Sequence, residues 1–464
     1  MLTNSFKFNY SIGAVANGIK TDTFTFFLLF FYSRVIGLDP LLAGTAIFIA
    51  LLVDSVTDPL MGTLSDRTKS KLGRRHPFML LSFIPVSIFY ILLFTPKIEW
   101  GLSQTQLFLW MLVCTTFTRV GMTLFEVPHR SFGAEIIKNY EERTLLFSWR
   151  ELITWIAAIG NAFMGYFIFF RSTPEYPYGQ LNPEVWFPFA LAGGIFMAAG
   201  ILYSSLTTTK YIKDLSQWSG STSLKDIFKE ISIAITNKSF LIFFAGNLTL
   251  SIAWGLSNSL ALYINTDFWG LSGKLITIFL AIYITSTLIA FYLTPRLVKT
   301  LDKKNLVMIC IFGTAFFSPI AFISYNLGLT PDKGTYALIF FLSIPLIFIS
   351  CFSVMGNMTR DSMIGDIADE VELSSGKRQE GVLYSAVSFI QKVNTAIGGF
   401  TAGLVLKILE YPKDNPTYEQ TYSLFFVQGV IGPILLALPL FIFYFYKLDR
   451  NKHARIIAEL NYSK

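Results

Sequence analysis

The sequence predicts an all-α membrane protein, with twelve transmembrane helices in two pseudo-symmetric six-helix bundles. Three observations predict it. Of the 464 residues, 53% are apolar and only 14% charged, against about 25% charged in a soluble domain. Forty-six Phe and a mean hydropathy of +0.53 are more apolar surface than a soluble core of this length could hide. Finally, runs of roughly 20 apolar residues, the length that crosses a hydrocarbon core, recur along the whole chain. These features exclude a cytosolic enzyme, a disordered scaffold and a secreted disulfide protein. The net charge of +7 sits in loops between apolar runs rather than in one tail, so it points to a lipid bilayer and not to nucleic acid.

The first six windows are residues 9–34, 42–65, 77–96, 104–128, 147–170 and 184–206. The second six are 239–265, 273–296, 305–325, 336–359, 381–408 and 422–447. This divides the chain into an N-terminal bundle (1–206), a linker (207–238), a C-terminal bundle (239–447) and a tail (448–464), the linker's later part reading as an amphipathic helix at the interface. Basic residues crowd the even-numbered loops, for example Arg67, Lys69, Lys71, Arg74 and Arg75 after span two, so both termini are expected in the cytoplasm and the protein in the plasma (inner) membrane. The first apolar run is too long for a signal peptide and lacks an A-x-A-like cleavage site. A weak repeat supports two halves: GAEIIKNYEERTLLFSWRE after span four and IGDIADEVELSSGKRQEG after span ten are both acidic first and basic later. Two related halves around a central site suit an alternating-access carrier.

Little else competes for function. Cys114, Cys310 and Cys351 lie scattered in apolar stretches, and His76, His129 and His453 are too dispersed for a histidine metal site. No HExxH and no GxSxG occurs, so the chain does not read as an enzyme, and no cofactor beyond a coupling ion is expected. A channel would have little use for buried Arg and Lys in paired halves.

The informative residues are those a bilayer should reject, because a charge at mid-span costs about 2.5–3.5 kcal/mol on insertion scales. Span two carries Asp54 and Asp58, four apart and so on one face, with Thr57 between them. Like charges at that spacing repel, so one is protonated or a cation sits between them. Alternatively, Asp58-Pro59 ends the helix in water. Span four carries Thr123 and Glu126 on one face, followed by Pro128 and Arg130. Arg150 near the start of span five is the local partner for Glu126, and Lys392 lies well inside span eleven. Arg150 and Glu151 could instead be interfacial, and Lys392 could serve only to tie the halves together. Gly62 would let helices approach closely, and Asp66 at a helix end could pair with arginines in a cytoplasmic gate latch.

Gly62-Thr-Leu-Ser-Asp66-Arg67 and Gly73-Arg74-Arg75 resemble the G-x-x-x-D-R-x-G-R-R signature of the major facilitator superfamily, with extra residues between Arg67 and Gly73. DSVTDPLMGTLSDRTKSKLGRRHPF, EVPHRSFGAEIIKNYEERTLLFSWRE and GDIADEVELSSGKRQEGVLYSAVSFIQK, in that order, resemble the glycoside–pentoside–hexuronide:cation symporter family. The resemblance implies that Asp54, Thr57, Asp58, Thr123 and Glu126 bind the coupling cation. It further implies that Glu126 and Arg150 contact the solute, that Lys392 lies near the cation site, and that Gly62, Asp66, Arg67, Gly73, Arg74 and Arg75 belong to the gate; Arg130 and Lys392 are expected at the solute as well. Asn17 and Gly18 fall where the family's melibiose carriers place a sugar-binding aspartate; Lys20 and Asp22 are read as lying on other faces. Arg130 replaces a sugar-stacking tryptophan. The implied function is cation-coupled symport, by a monomer, of a sugar, glycoside or uronide with Na⁺, Li⁺ or H⁺. A proton-coupled exporter or a lysolipid symporter on the same fold is the alternative.

Overall fold

A computed structural model describes residues 3–136, 140–214, 237–375, 392 and 396–462. Among the described residues every regular element is helical. Ten helices are long and apolar enough to span a membrane, and they coincide with windows two to ten and twelve. The first window is also helical, but α-turns (Ala14–Asp22, Leu28–Phe30) alternate with π-turns (Thr23–Phe27, Phe31–Ile36). Of the eleventh, Ala396–Ile408 and Lys392 are described and the rest lies outside the described residues. Large apolar side chains such as Leu288, Ile408 and Phe441 are 65%, 69% and 72% exposed, as a lipid-facing surface requires.

Span two begins at Pro40, whose missing N–H costs nothing in a first turn, and Asp39 caps it by accepting from the Leu41 N–H at 2.9 Å. It runs unbroken through Pro59 to Arg67. Asp58-Pro59 therefore does not end a helix; the carboxylates at 54 and 58 stay on one continuous face. Span four likewise continues through Pro128 to Ile136. Span five starts at Tyr140, seven residues before its apolar window, which carries Arg150 deep into the helix.

Two compact units emerge. The first comprises Met1–Ser219 with Ala261–Thr277 and Gly399–Thr417. In it, span two packs along span four, span one along spans five and six, and span three against spans four and six. Phe27, Phe31, Phe94, Phe170 and Phe189 close around the fully buried Trp186, whose indole N–H donates to the Gln180 carbonyl at 3.2 Å. At the end of span one, the Arg34 guanidinium donates to both oxygens of Asp267, at 3.0 and 2.9 Å, and the Tyr411 hydroxyl donates to Asp267 at 2.8 Å. This clasp went unseen in the sequence.

The second unit comprises Gly220–Leu260, Ile278–Gly398 and Tyr418–Lys464. Its core joins Phe243, Val307, Met363, Ile367 and Phe443. Residues 448–464, read as a tail, instead include a helix, Arg450–Tyr462, that contributes Ile456 to this core and packs on span ten. His453 Nε2 lies 2.9 Å from Asp369 there. The expected interfacial helix of the linker lies outside the described residues; Thr209–Asp214 extends span six as a short 3-10 turn.

Candidate solute and cation site

Two neighbouring turns of span four organise two charge clusters, both within the first unit. In the deeper one, the Thr123 hydroxyl sits 2.9 Å from Asp54 Oδ1 and 2.7 Å from Asp58 Oδ1. A hydroxyl has one proton and can donate to only one of them. The other close oxygen–oxygen approach therefore needs a second positive species, either a proton on one carboxyl or a cation beside the pair. Part of the repulsion is already met: Arg119, one turn before Thr123, donates from Nη1 to Asp54 Oδ2 at 3.1 Å, and both residues are 3% exposed. Sequence reading missed Arg119. A lone arginine four residues from Thr123 was the available signal, since i and i+4 share a face.

Thr57, the third expected ligand of span two, is half-buried beside the two aspartates. Its hydroxyl donates to the Asp54 carbonyl of its own helix at 3.3 Å. Lys392 is helical and half-buried. Among the described residues no group of three or more His, Cys, Asp or Glu side chains is arranged to hold a metal ion, so a cation here would rely on the two aspartates and the threonine oxygen.

One turn on, Glu126 accepts from two arginines through the same oxygen. Arg130 Nε lies 2.9 Å from Oε2, and Arg150 Nη2 is hydrogen-bonded to it as well. Arg150 is completely buried, which removes the interfacial alternative for it, whereas the side chain of its neighbour Glu151 is 55% exposed. Lys20 of span one adds its charge to the field at Glu126. Meanwhile Glu126 Oε1 and Arg150 Nε are buried with no hydrogen-bond partner. An unused acceptor beside an unused guanidinium donor is what a polar solute would satisfy.

Gly18 requires correction as a solute contact. A Cβ there would lie 2.3 Å from the Thr154 carbonyl oxygen and 2.8 Å from Ala157 Cβ, so this face of span one is pressed onto span five. Asp22 shares that face, since its carboxylate meets Asn161 of the same helix. The sequence reading of different faces for 18 and 22 is thus wrong. Asn17 lies off that contact, half-buried, near Thr21.

In the gate region, Gly62 is not a tight helix contact: a Cβ there would meet only Val127, at 3.7 Å. Arg74 Nη2 and Arg75 Nη1 both reach Glu135 Oε2, at 2.6 Å. Glu135, at the end of span four, is a partner that sequence reading had not named. Asp66 and Arg67 close the helix of span two, and their side chains lie outside the described residues. Gly73 turns the chain with φ +70°, a left-handed conformation that glycine adopts without a Cβ clash.

Known proteins share this organisation. A profile of the family described as MFS/sugar transport protein matches residues 9–450. A putative glycoside/cation symporter of Escherichia coli, YagG, is 27% identical, the alignment covering 99% of this chain and 95% of that protein. The glucuronide carrier protein homolog of the same organism is 23% identical over 98% of this chain and 95% of its own length. Among solved structures, the inward-open xylose transporter XylE of E. coli superposes with a TM-score of 0.64 at 14% identity, covering 98% of this chain and 99% of that one, and so shares the fold. The chain belongs to the MFS/sugar transport family, the glycoside–pentoside–hexuronide:cation symporters: it is a multi-pass membrane transporter coupling sugar movement to a cation, and not an enzyme.

Proposed function

We propose that this protein takes up an anionic sugar, of the uronide class, together with a cation held by Asp54, Asp58 and Thr123. The observation that carries the cation half is the single Thr123 hydroxyl shared by two carboxylate oxygens at 2.9 and 2.7 Å. An incoming Na⁺, Li⁺ or H⁺ relieves that approach, beside the Arg119 guanidinium that already pairs with Asp54. The solute half rests on Glu126 facing Arg130, Arg150 and Lys20, three positive groups against Glu126 and the half-exposed Glu151. Glu126 Oε1 accepts a sugar hydroxyl, and the arginines take the carboxylate, for which a guanidinium fork is the matching donor. The relative named as a glucuronide carrier homolog is consistent with this class.

The two clusters share span four, so cation binding at Thr123 presets the turn that carries Glu126. Each ligand then raises the other's affinity by a common coupling free energy, typically about 1–3 kcal/mol. The protein works as a monomer in the inner membrane with both termini cytoplasmic, and Arg74, Arg75 and Glu135 act in its cytoplasmic gate. The test is uptake into proteoliposomes of a glucuronide and of its uncharged glucoside, with and without a Na⁺ or proton gradient. Faster entry of the glucuronide under a gradient is expected; preference for the glucoside would overturn the anionic assignment.

A further inference from the structure

Asp22 is a buried acid that the sites above do not use. It lies mid-way along span one, 7% exposed, where the helix changes from α-turns to the π-turn Thr23–Phe27. Single π-turns within α-helices are frequent at functional positions. Its carboxylate accepts from Asn161 Nδ2 of span five at 2.7 Å. The same amide nitrogen donates to Thr23 Oγ1 at 3.1 Å, and Thr23 Oγ1 is hydrogen-bonded to the Tyr90 hydroxyl of span three at 2.8 Å. Thr23 and Tyr90 are fully buried and Asn161 is 3% exposed. The titratable groups in its field are Tyr90 and Tyr166, both uncharged near neutrality. Among the described residues no Lys, Arg or His pairs with Asp22.

An ionised carboxylate so stripped of water and without a cation is unfavourable, and the cheapest remedy is to bind a proton. We propose that Asp22, with Asn161 and Thr23, is a proton-binding site of this transporter, separate from the Asp54/Asp58 pair. It takes one H⁺ from hydronium, becoming a neutral acid and releasing water, and returns the H⁺ to water when the carrier cycles. Asn161 suits both states. Its Nδ2 donates to the carboxylate, and a half-turn of the amide brings Oδ1 to accept from the acid O–H. The 2.7 Å between Nδ2 and the carboxylate is a short N–H···O bond, and an O–H···O bond fits the same separation once the amide has turned. Asn161 Oδ1 is buried with no partner, while Nδ2 is shared between Asp22 and Thr23 Oγ1, so the half-turn exchanges the Thr23 contact for one in which the Thr23 hydroxyl donates to Oδ1.

The use of this proton in transport rests on the symporter reading; the protonation itself does not. The experiment is infrared difference spectroscopy of the full chain in lipid vesicles, titrated from neutral to alkaline pH. A carboxylic-acid carbonyl band is expected in the wild type and in Asp58→Asn, lost on alkalinisation and missing from Asp22→Asn. No such band near neutrality, or the same band in Asp22→Asn, overturns the proposal. So does loss of the band on adding Na⁺ at fixed pH, which would make the cluster a Na⁺ site. If Asp22→Asn cannot be recovered folded, Asn161→Leu serves: the band's midpoint should move by at least tenfold in proton concentration, and an unmoved midpoint overturns the assignment. Cation-stimulated uptake, measured separately, remains intact in either failure, so the two readings fall independently.

Discussion

The two turns of span four make opposite electrostatic environments from similar parts. Around Thr123, two carboxylates converge with the Arg119 guanidinium beside them; around Glu126, two guanidiniums converge, with Glu151 on Arg150 and the Lys20 ammonium nearby. The first cluster gathers carboxylate acceptors and the second gathers guanidinium donors. A cation and an anion can therefore be held side by side, the first by carboxylates and the second by guanidiniums. Charged groups crowded at mid-span are penalised by the bilayer, and a penalty shared along one helix is a physical basis for coupling.

Changing one cluster at a time should separate them. The largest effect is expected from Glu126→Ala, which leaves the wholly buried Arg150 without its main partner. Breaking such a pair costs about 3–5 kcal/mol, so thermal melting of the purified protein should collapse. A shift under about 1 kcal/mol would show that Arg150 is held by other groups. In the other cluster, Asp58→Asn should fold, yet lose a stimulation by cation of about 5–150-fold, the range of ordinary coupling energies. Uptake rates with and without a gradient measure it, and full retained stimulation would separate Asp58 from the ion.

A smaller change tests the anion assignment. The side chain of Arg130 is 41% exposed, so Arg130→Gln should spare folding. Losing one charge-assisted hydrogen bond, about 1.5–3 kcal/mol, should cut the preference for glucuronide over glucoside by about tenfold or more in competition assays. The smallest effect contrasts two glycines of the gate region. Gly62→Ala has room beside Val127 and should change stability by no more than about 1 kcal/mol, in the favourable direction. Gly73→Ala at φ +70° should cost about 1–2 kcal/mol. Equal effects in melting experiments would contradict the packing described.

Much of the fold was legible because a bilayer leaves few options: long apolar windows must be helices, and those from the second to the tenth are. Charges buried in such windows were legible for the same reason, so Asp54, Asp58 and Glu126 stand out by themselves. What the sequence hid was pairing. Arg119 lay in an apolar run whose partner was 65 residues away. The Gly18 face could not be assigned without knowing which helix covers it. Pro59 left a helix end open as an alternative in the sequence; the helix continues because a membrane helix can tolerate a broken hydrogen bond that neighbouring groups re-satisfy. Arg150 appeared near an end because the polar turns at 140–146 extend the helix beyond its apolar window.

The central claim is that a cation at Asp54, Asp58 and Thr123 controls solute affinity at Glu126. Equilibrium binding of a labelled glucuronide to purified protein, across a range of Na⁺ concentration at several fixed pH values, tests it most directly. The prediction is an affinity that rises with Na⁺ or with falling pH in the wild type and stays flat in Asp58→Asn. An affinity that responds to cation equally in both proteins would contradict it.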